Sequence, residues 1–546
     1  MKKQLSFHSQ HSMRSSHFLY SIILLSLLTF FLSPFTSLRA QKPIIPDTIT
    51  PGQQRVDQVM KLIDGNYTES PDMERLSTEA INAMLKALDP HSVYIAAKDV
   101  ERANEGLQGN FEGVGISFQI ISDTIVVQSV IDGGPSEKVG LMVGDKLIRI
   151  DGEAATGDTI NNNFVFKRLR GKKGTIVHID ILRQGSIYNF EITRDKVPIY
   201  SVDTWFMADS TIGYIRLIRF ARSSVSEFLK ALNSLEKQGM QSLILDLRGN
   251  TGGFLDIACG LANEFLDRGQ LIVYQEGRRT PRQNFNANGR GHFRKGDLVV
   301  LIDEGSASAS EIVSGAVQDW DRGTIIGRRS FGKGLVQRMF PLDDGGQVRL
   351  TTARYFTPSG RCIQRPYDGG SDAYRDDISQ RYKHGELVNA DSIHFADSLK
   401  YKTAHGRTVY GGGGIMPDLF VPMDTMRLSD YYVSLRGKGL LNSFPLQWAD
   451  SHRKDPRVKT FDLYLQNYDS FGLDSLLSAA AIEKGVVRDS EKEAREPERT
   501  AHSDNYLRLM LKAQVAKDLF GIEYYYKVMK DIDEPYLRAV EYLHKR

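Results

Sequence analysis

Three short apolar runs, YIRLI at 214–218, LILDL at 243–247 and LVVLID at 298–303, do most to limit what this chain can become. Each is too short for a helix, and each closes on a turn. Between the first two lies SVSEFLKALNSLEKQ, whose apolar residues recur at helical spacing. Strands alternating with helices of this kind build an α/β core. The second run ends in DLRGNTGG, where Gly252 and Gly253 can turn backbone N–H groups toward a cleft.

The rest of the 546 residues divides by pattern. Residues 53–105 carry helical periodicities, with Val56, Val59, Ile63 and Tyr67 on one face, and read as a small helical domain. Residues 106–198 change to short strands around one helix, INNNFVFKRLRG. The core spans residues 200–365 and resumes at 410–422, around a polar insertion at 366–409 expected as a surface excursion. Residues 424–546 are helix-rich. Their stripe of Leu507, Met510, Leu511, Val515 and Leu519 reads as core, with dimerisation as the alternative, and the charged run at 489–499 reads as solvated linker.

A leader occupies residues 1–40: Lys2, Lys3 and Arg14 precede the apolar run at 18–32, and Ala40 is a plausible cleavage point. Export to a bacterial periplasm is the expectation, with membrane anchoring as the alternative, since Leu38 fits the cleavage pattern poorly. The 70 basic against 67 acidic residues leave no strong field, and no basic stripe interleaved with aromatics appears, which argues against nucleic-acid binding. Two cysteines, Cys259 and Cys362, would permit one disulfide, but Cys259 falls in an apolar helical pattern and reads as a buried thiol.

The chemistry concentrates between 303 and 337. GSASASEIVSG opens a helix near Ser306 to Ser310, with Glu311 in its first turn, and FGKGLVQ follows. A helix start offers unpaired N–H groups and a partial positive charge to an oxyanion, and a lysine kept neutral by burial can deprotonate a serine. Capping alone would also explain the serines. GRRSFGKG approaches a phosphate-binding loop, but Gly334 replaces the hydroxyl residue and LVQRMFPL after Lys333 reads as a strand where that loop needs a helix. The signatures of zinc proteases, α/β-hydrolases and cysteine proteases are missing.

SASASE followed by FGKGxVQ resembles the C-terminal processing peptidases, or tail-specific proteases. LDPHS at 88–92, GVGISF at 113–118, GYIRLIRF at 213–220, DLRGNTGG at 246–253, YFTPSGRCIQ at 355–364 and GIMPDLFVP at 414–422 follow the family's order. The resemblance spans roughly residues 55–422. It implies a ClpP/crotonase-like core, Ser308 as nucleophile, Lys333 as its base, Gln337 as the residue positioning that lysine, and no metal or cofactor. It also implies an oxyanion hole from the Ala309 N–H and either Gly252 or Gly253. His91, after Asp-Pro, reads as a turn residue unconnected with the dyad.

Residues 106–198 resemble a PDZ domain, with Gly113, Val114 and Gly115 as the carboxylate loop and Ile116 and Phe118 beside the pocket. Such a domain adds a peptide C-terminus to its sheet edge. The expected protein is a multidomain α/β serine endopeptidase acting on proteins with apolar C-termini. The alternative is a peptide-binding scaffold without catalysis.

Overall fold

The computed structural model describes residues 48–121 and 123–546. The leader at 1–40 lies outside the described residues. Among the described residues no helix is long and apolar enough to cross a membrane. They form two units, one ending at Leu76 and one comprising Ser77–Arg546.

In the first unit the helix Pro51–Asn66 starts at a capping box: the Thr50 N–H donates to Gln53 Oε1 at 2.7 Å and the Gln53 N–H to Thr50 Oγ1 at 3.3 Å. None of its residues is buried. The apolar face read from sequence therefore fills no core within this unit.

In the second unit the three apolar runs lie in one six-stranded sheet, ordered Val202–Met207, Ile212–Leu217, Ser242–Asp246, Leu298–Ile302, Thr324–Gly327 and Leu419–Phe420. All neighbours pair in parallel except the first two. Side chains alternate between the faces of such a sheet. Leu243 and Leu245 pack against the helices Ser224–Glu236, Leu255–Asn263 and Ala309–Asp319, while Ile244 joins Val299, Leu301 and Ile326 on the other face. Helix Glu534–His544 covers that second face with Tyr536, Ala539 and Leu543. A second sheet pairs Leu335–Pro341, the strand after Lys333, with Gln347–Phe356, and its register shifts between Val336 and Gln337. A shift of this kind re-aims the side chain beside it.

Residues 116–193 form a separate antiparallel sheet with Ile116–Ile121 at one edge, closed by the helix Asn162–Leu169 over a core that includes Val127, Leu147, Val165 and Ile179. The chain enters and leaves it through a two-stranded stem, Asn110–Gly113 paired with Asp195–Pro198.

Two expectations change. The segment 366–409 is more than an excursion, because its helix Gly370–Lys383 buries Tyr374 and Arg381, and Arg381 donates to the carbonyls of Arg329 and Ser330 at 2.7 and 3.1 Å. The charged run is ordered into a helix, Ser490–Arg495, capped by Asp489 Oδ1, which accepts from the Lys492 N–H at 3.0 Å. The N-cap satisfies a first-turn N–H, and Glu491 pairs with Arg495 one turn on at 3.4 Å. The stripe including Leu507, Leu511 and Val515 fills the core of the helical C-terminal region. Both cysteines are free thiols.

Candidate active site

Helix Ala309–Asp319 begins at Ser308, which has φ 56° and ψ −109°. That is close to the first central position of a II′ turn, a conformation suited to glycine and costly for serine. The flanking hydroxyls are committed elsewhere. Ser306 Oγ donates to Leu247 O at 2.8 Å and Ser310 Oγ to Asn250 O at 2.8 Å, and both serines are fully buried. These bonds, with the Ala307 N–H to Asn250 O at 3.0 Å, fasten the serine helix to the glycine turn. Ser308 alone of the three lines the cleft.

That cleft, about 290 Å³, is bounded by Gly252, Gly253, Ser308, Lys333, Gln337 and Tyr355 among others. Gly252 is needed for steric reasons: its φ is 100°, and a Cβ there would stand 2.8 Å from Ala307 O and from Ser308 Cβ. Its N–H is already used, donating to Asn250 Oδ1 at 2.9 Å. Among the described residues the N–H groups of Gly253 and Ala309 donate to no acceptor. The turn is also held from the far end of the chain. Arg248 forms two-pronged pairs with buried Asp246 and with Asp533, whose Oδ1 and Oδ2 lie 2.6 and 2.7 Å from the guanidinium.

Lys333 stands across the same cleft. Its Nζ donates to Gln337 Oε1 at 3.1 Å, and Gln337 Nε2 donates to the His91 carbonyl. His91 is thus tied to the lysine through its backbone, which the sequence pattern did not reveal. No hydrogen bond joins Lys333 Nζ to Ser308 among the described residues; catalytic contacts of this kind often tighten only with substrate bound. Burial lowers the Lys333 pKa below its ordinary 10.5, against the opposing charges of Glu311 and Asp89, while Arg349 adds to the lowering.

Glu311 is the main residue that sequence reasoning undervalued. Fully buried, it accepts from the Ser308 N–H at 2.7 Å, Ser330 Oγ at 2.5 Å, the Gly332 N–H at 2.7 Å and the Lys333 N–H at 2.9 Å. Burial pushes its carboxyl up, and these four donors pull it back. One carboxylate therefore fixes the backbone of both the serine and the lysine. The S-x-x-E spacing from Ser308 to Glu311, the pattern of a capping box, is the signal that could have exposed it. Tyr355, also buried, places its hydroxyl 3.0 Å from Ser308 O and 2.8 Å from Lys333 O.

A lysine base fixes the sign of a pH response. With Lys333 as the base the neutral amine would be the active form, and its fraction rises as pH rises through a pKa below 10.5. The expected kcat/KM climbs with pH along one limb whose midpoint lies below that value. His91, lowered to about 4 by burial and by the Lys333 charge, is already neutral there and cannot supply the limb. A flat profile between about pH 6 and 10, with chemistry rate-limiting, would exclude a lysine base.

The second site is a groove of about 550 Å³ between the edge strand Ile116–Ile121 and the helix Asn162–Leu169. Val114, Gly115, Ile116 and Phe118 line it, and Phe118 meets Phe166 edge-on across it at 5.6 Å. Gly113 does not line it, because it ends the stem strand and bridges to Arg170. The Val114 and Gly115 N–H groups donate to no acceptor among the described residues.

Peptidase family S41 matches residues 211–370, a PDZ domain matches 113–193, and a family of unknown function (DUF8443) matches 431–521. The chain is 33% identical over 397 residues to a carboxy-terminal-processing protease of Bartonella bacilliformis, spanning 72% of this chain and 90% of that protein. It is 32% identical over 352 residues to the carboxy-terminal processing protease CtpA of Bacillus subtilis, covering 64% and 74%. Among solved structures, the photosystem II D1 C-terminal processing protease aligns at 26% identity and a TM-score of 0.36, over 69% of this chain and 95% of that one. With the serine helix, the glycine turn and a PDZ domain in one chain, the family matches and the Bartonella relative show that it belongs to peptidase family S41, the carboxy-terminal-processing serine proteases.

Proposed function

We propose that this protease cuts exported proteins with a Ser308/Lys333 dyad after its PDZ groove has captured their apolar C-termini. The observation that carries the reading is the strained Ser308, free of the bonds that occupy Ser306 and Ser310, in one cleft with a lysine whose charge burial disfavours. Lys333 Nζ takes the Ser308 proton as Oγ attacks the peptide carbonyl. The Gly253 and Ala309 N–H groups receive the oxyanion, since Asn250 occupies that of Gly252. Lys333 then returns its proton to the leaving amine, and water hydrolyses the acyl-enzyme. Gln337 holds Lys333 within the cleft between these steps. Export rests on the leader at 1–40. Incubating wild type and Ser308→Ala with an unstructured protein ending in apolar residues is the direct test: new fragments with the first and none with the second are expected, and equal fragmentation would remove the dyad.

Tail recognition is supported by the open sheet edge at Ile116–Ile121 and the free Val114 and Gly115 N–H groups. Amidating a substrate's C-terminus deletes the charged acceptor these groups would hold, worth about 1.5–3 kcal/mol. Binding to the full-length Ser308→Ala protein is then expected to weaken by roughly 10- to 150-fold. Equal affinity for free-acid and amidated peptides would show that the groove does not read C-termini.

A further inference from the structure

Thr251 and Lys333 border both the catalytic cleft and a second cavity of about 400 Å³. Its walls are the His91 ring, Ala307, Phe331 and Ile378. These walls are held in place. Arg365 lies 3.9 Å from the centre of the Phe331 ring and pairs with Asp377 at 2.7 Å, and Tyr374 meets both Phe331 and His91 edge-on. His91 Nε2 and Tyr374 Oη are 2.9 Å apart, which occupies that ring nitrogen. Glu304 at the rim is paired with Arg328 at 2.8 Å. The cavity is therefore predominantly apolar and largely preformed, the form of a binding site.

Its position relative to the reaction assigns its side. The acyl carbon must sit at Ser308 Oγ with its oxygen toward Gly253 and Ala309, while the proton delivered by Lys333 goes to the leaving nitrogen. The residue carrying that nitrogen consequently lies beside Lys333, which also lines the second cavity. We propose that this cavity is the subsite for the first residue after the cut, and that it takes an apolar side chain. The inference rests on the dyad reading above. Ile378 belongs to the helix Gly370–Lys383, beyond residue 370 where the peptidase-family match ends.

The test uses the full chain and an unstructured protein substrate, with both new termini of every fragment sequenced. Wild type is expected to enrich apolar residues at the new N-termini. Ile378→Asp places a carboxylate in the wall and should reduce that enrichment about ten-fold, the scale on which an apolar pocket discriminates, while the residues at the new C-termini keep their distribution. Ile378→Trp, which fills the cavity without charge, should shift the new N-termini toward small residues. Ile378 is only half-buried on its helix, so both variants are expected to fold. Unchanged new N-termini in both variants would overturn the subsite, and so would a change confined to the new C-termini. A wild type that makes no cuts would remove the dyad reading and this subsite with it.

Discussion

If Ser308 and Lys333 act as one unit of nucleophile and base, Ser308→Ala and Lys333→Ala are each expected to reduce peptide cleavage by at least about 10⁴-fold, with the double variant no slower than either single. Gln337→Ala costs less, about 10- to 100-fold, since it frees the base without deleting it. The same position gives a second, opposite effect. Ser308 holds φ 56°, a value that strains any residue with a Cβ. Ser308→Gly is therefore expected to be inactive yet more stable to unfolding than Ser308→Ala, by about 1 kcal/mol or more, with the gain offset in part by the freer unfolded chain. Denaturant melts of the two variants measure the difference, and single-turnover cleavage measures the loss. Residual activity near wild type in either single dyad variant would eliminate the mechanism. A Ser308→Gly protein less stable than Ser308→Ala would eliminate the strain.

The second large effect is expected at a residue that touches no substrate. Glu311→Ala leaves four donors, the N–H groups of Ser308, Gly332 and Lys333 and the Ser330 hydroxyl, without their buried acceptor. Each unsatisfied group costs about 1–3 kcal/mol, and water entering the space recovers part of that, so a loss of at least about 3 kcal/mol in stability is expected. Serine and lysine lose their common anchor at the same time, and kcat should fall by 100-fold or more, with roughly unchanged binding of tail peptides to the PDZ groove, whose lining shares no residue with the cleft. Glu311→Gln keeps one carbonyl acceptor and should fall between the two. A Glu311→Ala protein with wild-type kcat would show that the carboxylate does not position the dyad.

The contrast between Glu311 and Ser308 marks how far the sequence could be read. The strand after Lys333, the helix start at the serines, the glycine turn and the edge strand of the PDZ domain depend on neighbours within a few residues, and all four were legible as patterns. The phosphate-loop reading was excluded on the same local ground, because Leu335–Pro341 is a strand. The polar insertion was misjudged because polarity was taken for exposure; the charged run is solvated as expected but forms a helix where a linker was read. Arg381 is buried among the backbone carbonyls it satisfies, and Asp489 caps a helix that charge alone would not favour.

By itself the sequence determined an α/β core joined to a domain of short strands around one helix, because periodicity and turn chemistry are local; its resemblance to the C-terminal processing peptidases implied the peptidase activity, the peptide-binding role and the pairing of Ser308 with Lys333. Only the tertiary structure decided which atoms of that constellation are free to react. The hydroxyls of Ser306 and Ser310 are taken by carbonyls 59 and 60 residues away, and the Gly252 N–H is taken by the Asn250 side chain. Gln337 is held by the His91 carbonyl 246 residues distant. The second face of the catalytic sheet is covered by the last helix of the chain, which also brings Asp533 to Arg248. Hydrogen-bond partners and burial are properties of the folded neighbourhood, and they are what keep the Ser308 hydroxyl out of the carbonyl bonds that hold Ser306 and Ser310 and what lower the proton affinity of Lys333.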